Sequence, residues 1–464
     1  MPFRTPGRAT GRRNEGEVIT ETKGRAPLHS SVLERDARDI NADHHAVASS
    51  EIALGVIIGR MSESFDFFVY AIGSALVFPS LFFPHIDPVR ATLYSFAIFA
   101  LAFIARPIGS AIFIWVDTTY GRGTKLTIAL FLLGGSTAAI AFLPGYDTIG
   151  VYAVLLLAAF RIAQGLALGG AWDGLASLLS LNAPDRKRGW YAAMPQLGAP
   201  LGFLLAAALF AFLLGTLSGE DFLDFGWRYP FFVAFAVNVV ALFARLRLVV
   251  TREFSDMLEK HELLPAPIPE TLRTNGRTVL IGAFVPLASF ALFHLVTVFP
   301  LAWIALFTDR SPADFLSVQM MGAGICIVAV MLSGAIADRI GRRKLLGIGA
   351  VLIAVFSFAA PFLLGGGRGG ETVFVLIGFG LLGLSFGQAS GALASNFTTR
   401  HRYTGAALTS DLAWLLGAGF APLVVLVLSD WLGLAAVGGY LLSGAVCTLL
   451  ALTVNRALDD SAPG

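Results

Sequence analysis

Gly59 to Tyr70 reads G-R-M-S-E-S-F-D-F-F-V-Y, and it lies inside an apolar segment spanning about residues 52–78. Glu63 and Asp66 are three residues apart and Tyr70 follows four later, so helical spacing puts all three on one face. An ionisable group at the centre of a membrane helix costs about 2.5–3.5 kcal/mol and is kept where it meets a partner or a water-filled path. The face is therefore expected to line the pathway of a transporter. The competing expectation is a buried acid paired with arginine for helix packing alone.

The rest of the composition agrees with a membrane setting. The 464 residues are 56% hydrophobic and 14% charged, with a mean hydropathy of +0.74. Apolar segments long enough to span recur from about residue 50 onward. A net charge of +2 gives no reason to expect nucleic acid as a partner. Cys326 and Cys447 each sit in an apolar segment, which supports neither a disulfide framework nor a metal site. Residues 1–50 are polar, have no apolar core of a secretory signal, and read as a disordered tail.

Twelve spans are expected, near 52–78, 92–116, 125–143, 150–181, 191–217 and 228–250, then 277–307, 313–337, 345–365, 372–398, 406–430 and 432–455. The polar interval Thr251 to Asn275 separates the two sets of six. Alternate connections are rich in cations: Arg122 and Lys125; Arg186, Lys187 and Arg188; Arg339, Arg342, Arg343 and Lys344; Arg400 and Arg402. The opposite connections carry at most one each (Arg90, Arg228, Arg310, Arg368). The positive-inside rule then places the rich set, the central interval and both termini in the cytoplasm.

The halves repeat each other. Gly334 to Lys344 reads G-A-I-A-D-R-I-G-R-R-K, and Phe113 to Lys125 reads F-I-W-V-D-T-T-Y-G-R-G-T-K, with one residue extra in the first copy. Small residues recur every four positions at Gly165 and Gly169, and again at Gly383, Gly387 and Gly391. Duplicated six-helix halves are the architecture of a rocking transporter. The expected organisation is a tail at 1–50, halves at 51–250 and 277–455, a cytoplasmic loop at 251–276 and a tail at 456–464. The fold class is all-α integral membrane, with about twelve transmembrane helices in two pseudo-symmetric halves.

These residues resemble the major facilitator superfamily. D-R-I-G-R-R-K at 338–344 is similar to its loop motif, and R-I-A-Q-G-L-A-L-G at 161–169 to its fourth-helix motif. E-S-F-D-F-F-V-Y in span one and F-I-A-R-P-I-G at 103–109 resemble the metabolite:proton symporter family. That family includes carriers of citrate, 2-oxoglutarate, shikimate, and proline or betaine. The resemblance implies that Asp117, Arg122, Asp338, Arg339 and Arg342 form a cytoplasmic gate. The chain departs from the family at Thr118, where a basic residue is usual, and after the paired glycines of span four. There Ala171 and Trp172 replace the usual Glu, leaving Asp173 as a substitute.

Counting about 1.5 Å per helical residue places Arg106 and Arg161 at the depth of Asp66. Two arginines and two acids at one depth of one half can neutralise each other. Asp66 or Glu63 is thus expected to take a proton, releasing Arg106 or Arg161, with the coupling machinery concentrated in the first half. Tyr70, Gln164 and Asp173 complete that half's candidates for the cavity. Asp411 is the lone acid of span eleven, with no second-half base at its depth except His294. Gln196, Gln319, Gln388 and Asn396 could face the cavity or bind helices together.

The sequence points to a secondary active transporter of a small polar or anionic metabolite, a monomer in the cytoplasmic (inner) membrane, working by proton symport with alternating access. A proton-driven exporter of a drug or anionic toxic compound is the alternative. No catalytic residues, cofactor or metal are expected. The chain has no G-x-x-x-x-G-K-[ST] for a primary pump and no convergent His, Asp or Ser/His set for a membrane enzyme.

Overall fold

Helices account for the chain because runs of some twenty apolar residues can satisfy their backbone groups in lipid only by hydrogen-bonding along themselves. The structure, a computed structural model, describes residues 49–171, 179, 183, 187–249, 264–389, 391–392 and 397–455. Its first six long helices are α1 (Ser49–Leu76), α2 (Pro88–Tyr120), α3 (Arg122–Ala141), α4 (Val151–Gly170), α5 (Arg188–Thr216) and α6 (Tyr229–Val249). The second six are α7 (Leu287–Phe307), α8 (Pro312–Ile340), α9 (Arg342–Leu364), α10 (Gly367–Phe386), α11 (Arg400–Leu432) and α12 (Ala435–Val454). Among the described residues, eleven helices are long and apolar enough to cross a membrane. The 28-residue α1 makes the twelfth, its apolar run interrupted by Arg60, Glu63 and Asp66. Large apolar side chains such as Phe142, Phe243 and Phe362 face outward, as lipid-facing positions do. The chain is an all-α, multi-pass membrane protein.

The packing shows the duplication directly. Helix α2 packs on α4, α5 on α1 and α6 on α3; correspondingly α8 packs on α10, α11 on α7 and α12 on α9. Glycines permit the closest crossings. A Cβ on Gly165 would meet Ala102 Cα at 2.6 Å, and one on Gly383 would meet the Cys326 carbonyl oxygen at 2.6 Å. The halves meet mainly where α5 lies on α8 and α2 on α11, with α1 touching the outer part of α7.

The two loop motifs end their helices identically. Gly121 and Gly341 have φ of 84° and 86°, a conformation that a side chain disfavours. Gly121 N–H donates to Asp117 O, and Gly341 N–H donates to Ala337 O. Asp117 is thus the positional equivalent of Ala337, and Thr118 of Asp338. The expected extra residue is not an insertion: the acid has moved one position along the helix, about 100° around it.

Breaks in the helices are local and have causes. Pro286 and Pro300 divide the seventh span into Ile268–Phe284, Leu287–Thr297 and Phe299–Phe307. Pro300 has no N–H for Val296 O. Gln319 of α8 fills the gap, donating from Nε2 to Val296 O and Thr297 O at 2.8 Å each. Gln319 therefore binds helices together and does not face the cavity. In α11 the segment Trp414–Gly419 is a π-helix, a form that recurs at functional sites.

Candidate functional site

A cavity of about 120 Å³ lies between the halves. One wall is aromatic, with Phe67, Phe103, Phe290, Phe293, Phe386 and Trp414. Polar groups are few: Arg60, Glu63 and Ser64 from α1, Arg106 from α2, Gln196 from α5 and Ser410 from α11.

The first-helix acids separate. Glu63 lines the cavity and accepts from Arg60 Nη1 at 3.0 Å. Asp66 does not line it but is buried among α3, α4 and α6. It accepts from Thr137 Oγ1 at 2.8 Å, Asn238 Nδ2 at 2.5 Å and Gln164 Nε2 at 3.3 Å. Ser62 in turn donates to Asn238 Oδ1 at 2.8 Å. The expectation that Glu63, Asp66 and Tyr70 share one pathway face is corrected: Asp66 is turned about 60° from Glu63, Tyr70 lies about two turns farther along α1, and of the three only Glu63 lines the cavity.

The arginine pairings also differ from the sequence reading. Arg161 makes no direct ion pair with Asp66. It donates to Phe99 O at 3.1 Å and to Gln164 Oε1 at 3.0 Å, so Gln164 stands between the two charges. Its guanidinium also lies 3.9 Å from the centre of the Tyr70 ring. Arg106 belongs to neither first-half acid. Its Nε donates to Asp411 Oδ1 of α11 at 2.7 Å, and Ser110 donates its hydroxyl to Asp411 Oδ2. Asp411 thus has a base at its depth, supplied by the other half, and the charges are not confined to the first half. Counting along helices put Arg106 and Arg161 at one depth, but α2 and α4 pack with Phe99 beside Arg161 and Arg106 beside Gly169, about two turns apart. Nor did it give the rotation that turns Arg106 toward the other half. Asp173 and Asn396 lie outside the described residues.

At the end that carries the basic loops, two clasps join the halves. In one, Asp338 accepts from Gly189 N–H at 2.6 Å and Trp190 N–H at 3.1 Å at the start of α5. Gln388 donates to Gly189 O at 3.1 Å, while Arg342 donates to Gln388 Oε1 at 3.3 Å and Gly391 O at 2.8 Å. In the other, Asp117 pairs with Arg122 at 3.0 Å and Lys125 at 3.6 Å. Tyr403 of α11 accepts from Lys125 at 2.7 Å and donates to Asp117 at 3.4 Å. Arg339 is exposed and takes part in neither clasp, a correction to its place among the gate residues: it follows Asp338 on the outer side of α8.

Sequence reasoning missed Asn238, Thr137, Ser110 and Tyr403. Asn238 carried a signal, as the one amide in the apolar run V-A-F-A-V-N-V-V. Ser110 and Thr137 are too common in membrane helices to stand out.

Comparison with known proteins follows the same lines. A family model described as Major Facilitator Superfamily matches residues 64–422. The inner membrane metabolite transport protein YhjE of Escherichia coli is 40% identical over 416 residues, covering 88% of this chain and 94% of the relative. The shikimate transporter of the same organism is 30% identical over 428 residues, covering 88% and 94%. A crystal structure of a D-xylose-proton symporter superposes with a TM-score of 0.67 at 19% identity, covering 89% of this chain and 98% of that one. At that identity the likeness speaks for the fold.

Proposed function

The chain belongs to the Major Facilitator Superfamily, and on that premise we propose that it imports a small polar or anionic metabolite by proton symport. It is a multi-pass membrane transporter and not an enzyme. In the proposed cycle, the halves at 51–250 and 277–455 rock about the cavity in alternating access. The loop at 251–276 and the tails at 1–50 and 456–464 lie on the cytoplasmic side of the inner membrane, and the protein works as a monomer.

The observation that carries this reading is the buried bridge from Arg106 to Asp411, which joins α2 to α11 beside the cavity. While Asp411 is ionised, the bridge and the Ser110 hydroxyl hold these helices together. Protonation of Asp411 removes the Coulomb attraction and leaves Arg106 free for an anionic group of the substrate. Proton and anion then bind together, the charge around Arg106 stays balanced, and the contact between halves becomes bistable. Asp66, held by three neutral donors, fixes Gln164 and through it Arg161; it is the second candidate for a proton. Glu63 and Arg60 form a counter-pair on the cavity wall. Asp338, Arg342, Asp117 and Arg122 act as the cytoplasmic gate, with Tyr403 and Lys125 as added members.

Uptake into proteoliposomes under an imposed pH gradient, screening carboxylates and betaine-like solutes, tests the reading. Accumulation that follows the gradient supports symport. Counterflow of a solute without any response to the gradient would remove proton coupling and leave the transporter. No feature among the described residues favours the exporter alternative. In a deletion strain, import predicts lost growth on a solute, and export predicts greater sensitivity to a compound.

A further inference from the structure

Behind the aromatic wall of the cavity, three side chains packed on common rings carry four buried polar atoms without a hydrogen-bond partner: Arg161 Nη2, Tyr70 Oη, and both ring nitrogens of His294. Arg161 and Tyr70 are in contact, and Arg161 and His294 pack on the same ring. The Arg161 guanidinium carbon is 4.7 Å from the centre of Phe99, and the His294 ring centroid is 5.4 Å from it. Phe67 also touches both, at 5.8 Å from the guanidinium and 5.6 Å from the imidazole. Phe67, Phe103 and Phe293 line the cavity on one side and pack against His294 on the other. One layer of rings therefore separates this cluster from the cavity.

A buried polar atom left unpaired bears its desolvation cost without return, and such atoms are rare enough that each calls for a reason. The three donors among them, one ring away from the cavity, have a common reason if a ligand group completes them; the fourth atom, the unprotonated imidazole nitrogen, is an acceptor. The chemistry of that group follows from the donors. Arg161 is a cation whose nearest acid, Asp66, already accepts from Thr137, Asn238 and Gln164. Tyr70 offers an O–H, and a neutral imidazole offers one N–H. A carboxylate matches this set, with two oxygens to accept from the three donors and a charge to offset the guanidinium. The part of the ligand that carries it would rest on the rings of the wall.

We infer that Arg161, Tyr70 and His294 form a carboxylate subsite, reached from the cavity when the Phe67 ring turns aside, for a small acid with an apolar body. The purpose of the subsite rests on the transporter reading, but its existence is tested without transport. The full-length protein is labelled with ¹³C-histidine in detergent, and the His294 signal is assigned by its loss in His294→Asn, or in His294→Gln should the first variant fail to fold. It is then titrated with benzoate and with benzamide, of the same shape and uncharged. The subsite predicts a saturable shift of the His294 signal by benzoate, at least about tenfold weaker binding of benzamide, equivalent to about 1.4 kcal/mol, and severalfold weaker benzoate binding in Tyr70→Phe. No saturable shift, or equal binding of the acid and the amide, would overturn it and leave the four atoms to ordered water. If carboxylate uptake keeps the same preference for acid over amide in His294→Asn, the subsite falls while transport stands. If His294 responds to benzoate but no solute is transported, transport falls while the subsite stands.

Discussion

Replacing Asp338 with Asn should open the loop end of the molecule. The aspartate accepts two backbone N–H groups of α5, Gly189 at 2.6 Å and Trp190 at 3.1 Å. Asparagine keeps one carbonyl oxygen, loses the charge, and presents an NH2 to an N–H. The net loss is about one charge-assisted hydrogen bond, about 1.5–3 kcal/mol. Since α5 and α8 belong to different halves, this energy is removed from the closed arrangement alone, raising the population open at the loop end about 10- to 150-fold. Ala199, on the cavity wall, can report the change as Ala199→Cys in a background with Cys326→Ala and Cys447→Ser. Labelling with an impermeant maleimide from the loop side should accelerate by that factor, while thermal stability falls only modestly. Unchanged labelling with Asp338→Asn would mean that the clasp does not control access, whatever its geometry.

Two further substitutions test the packing on which the site depends. Gly165→Val should abolish recovery of folded protein on size exclusion, because the added Cβ meets Ala102 backbone that cannot yield; Gly135→Ala, with nothing within 4 Å, should fold as the parent does. Gln319→Leu should lower thermal stability by about 1–3 kcal/mol for each carbonyl it leaves without a donor. Adding Pro300→Ala, which restores an N–H for Val296 O, should recover part of the loss.

How far the sequence could be read depends on which dimension a question concerns. Position along the membrane normal is set by hydropathy and residue count, so the twelve helices and the duplicated halves were legible, whereas the common depth expected for Arg106 and Arg161 was not met: Arg161 lies beside Phe99 and Arg106 beside Gly169. Rotation about a helix and contact between halves were not legible. Arg106 turns toward Asp411, 305 positions away, and no period within α2 encodes that choice. Asp66 was expected beside arginine and instead sits among Thr137, Gln164 and Asn238. The loop motifs were recognised, yet the one-residue displacement of Asp117 read as an insertion because only the shared cap at Gly121 and Gly341 fixes the register. Tyr403 looked like part of a basic loop until the fold placed it on Asp117, and the π-helix at Trp414–Gly419 has no sequence period to announce it.

The account stands or falls on whether the Arg106–Asp411 bridge couples proton to substrate. The direct measurement is solute accumulation in proteoliposomes under a pH gradient, comparing the parent with Asp411→Asn and following counterflow in both. With one proton per anion, the parent should accumulate solute about tenfold for each pH unit imposed, since a unit is worth 1.36 kcal/mol. Asp411→Asn should exchange solute by counterflow yet bring it only to the outside concentration, at every pH. Accumulation by Asp411→Asn equal to the parent's, with the same dependence on the gradient, would contradict the account.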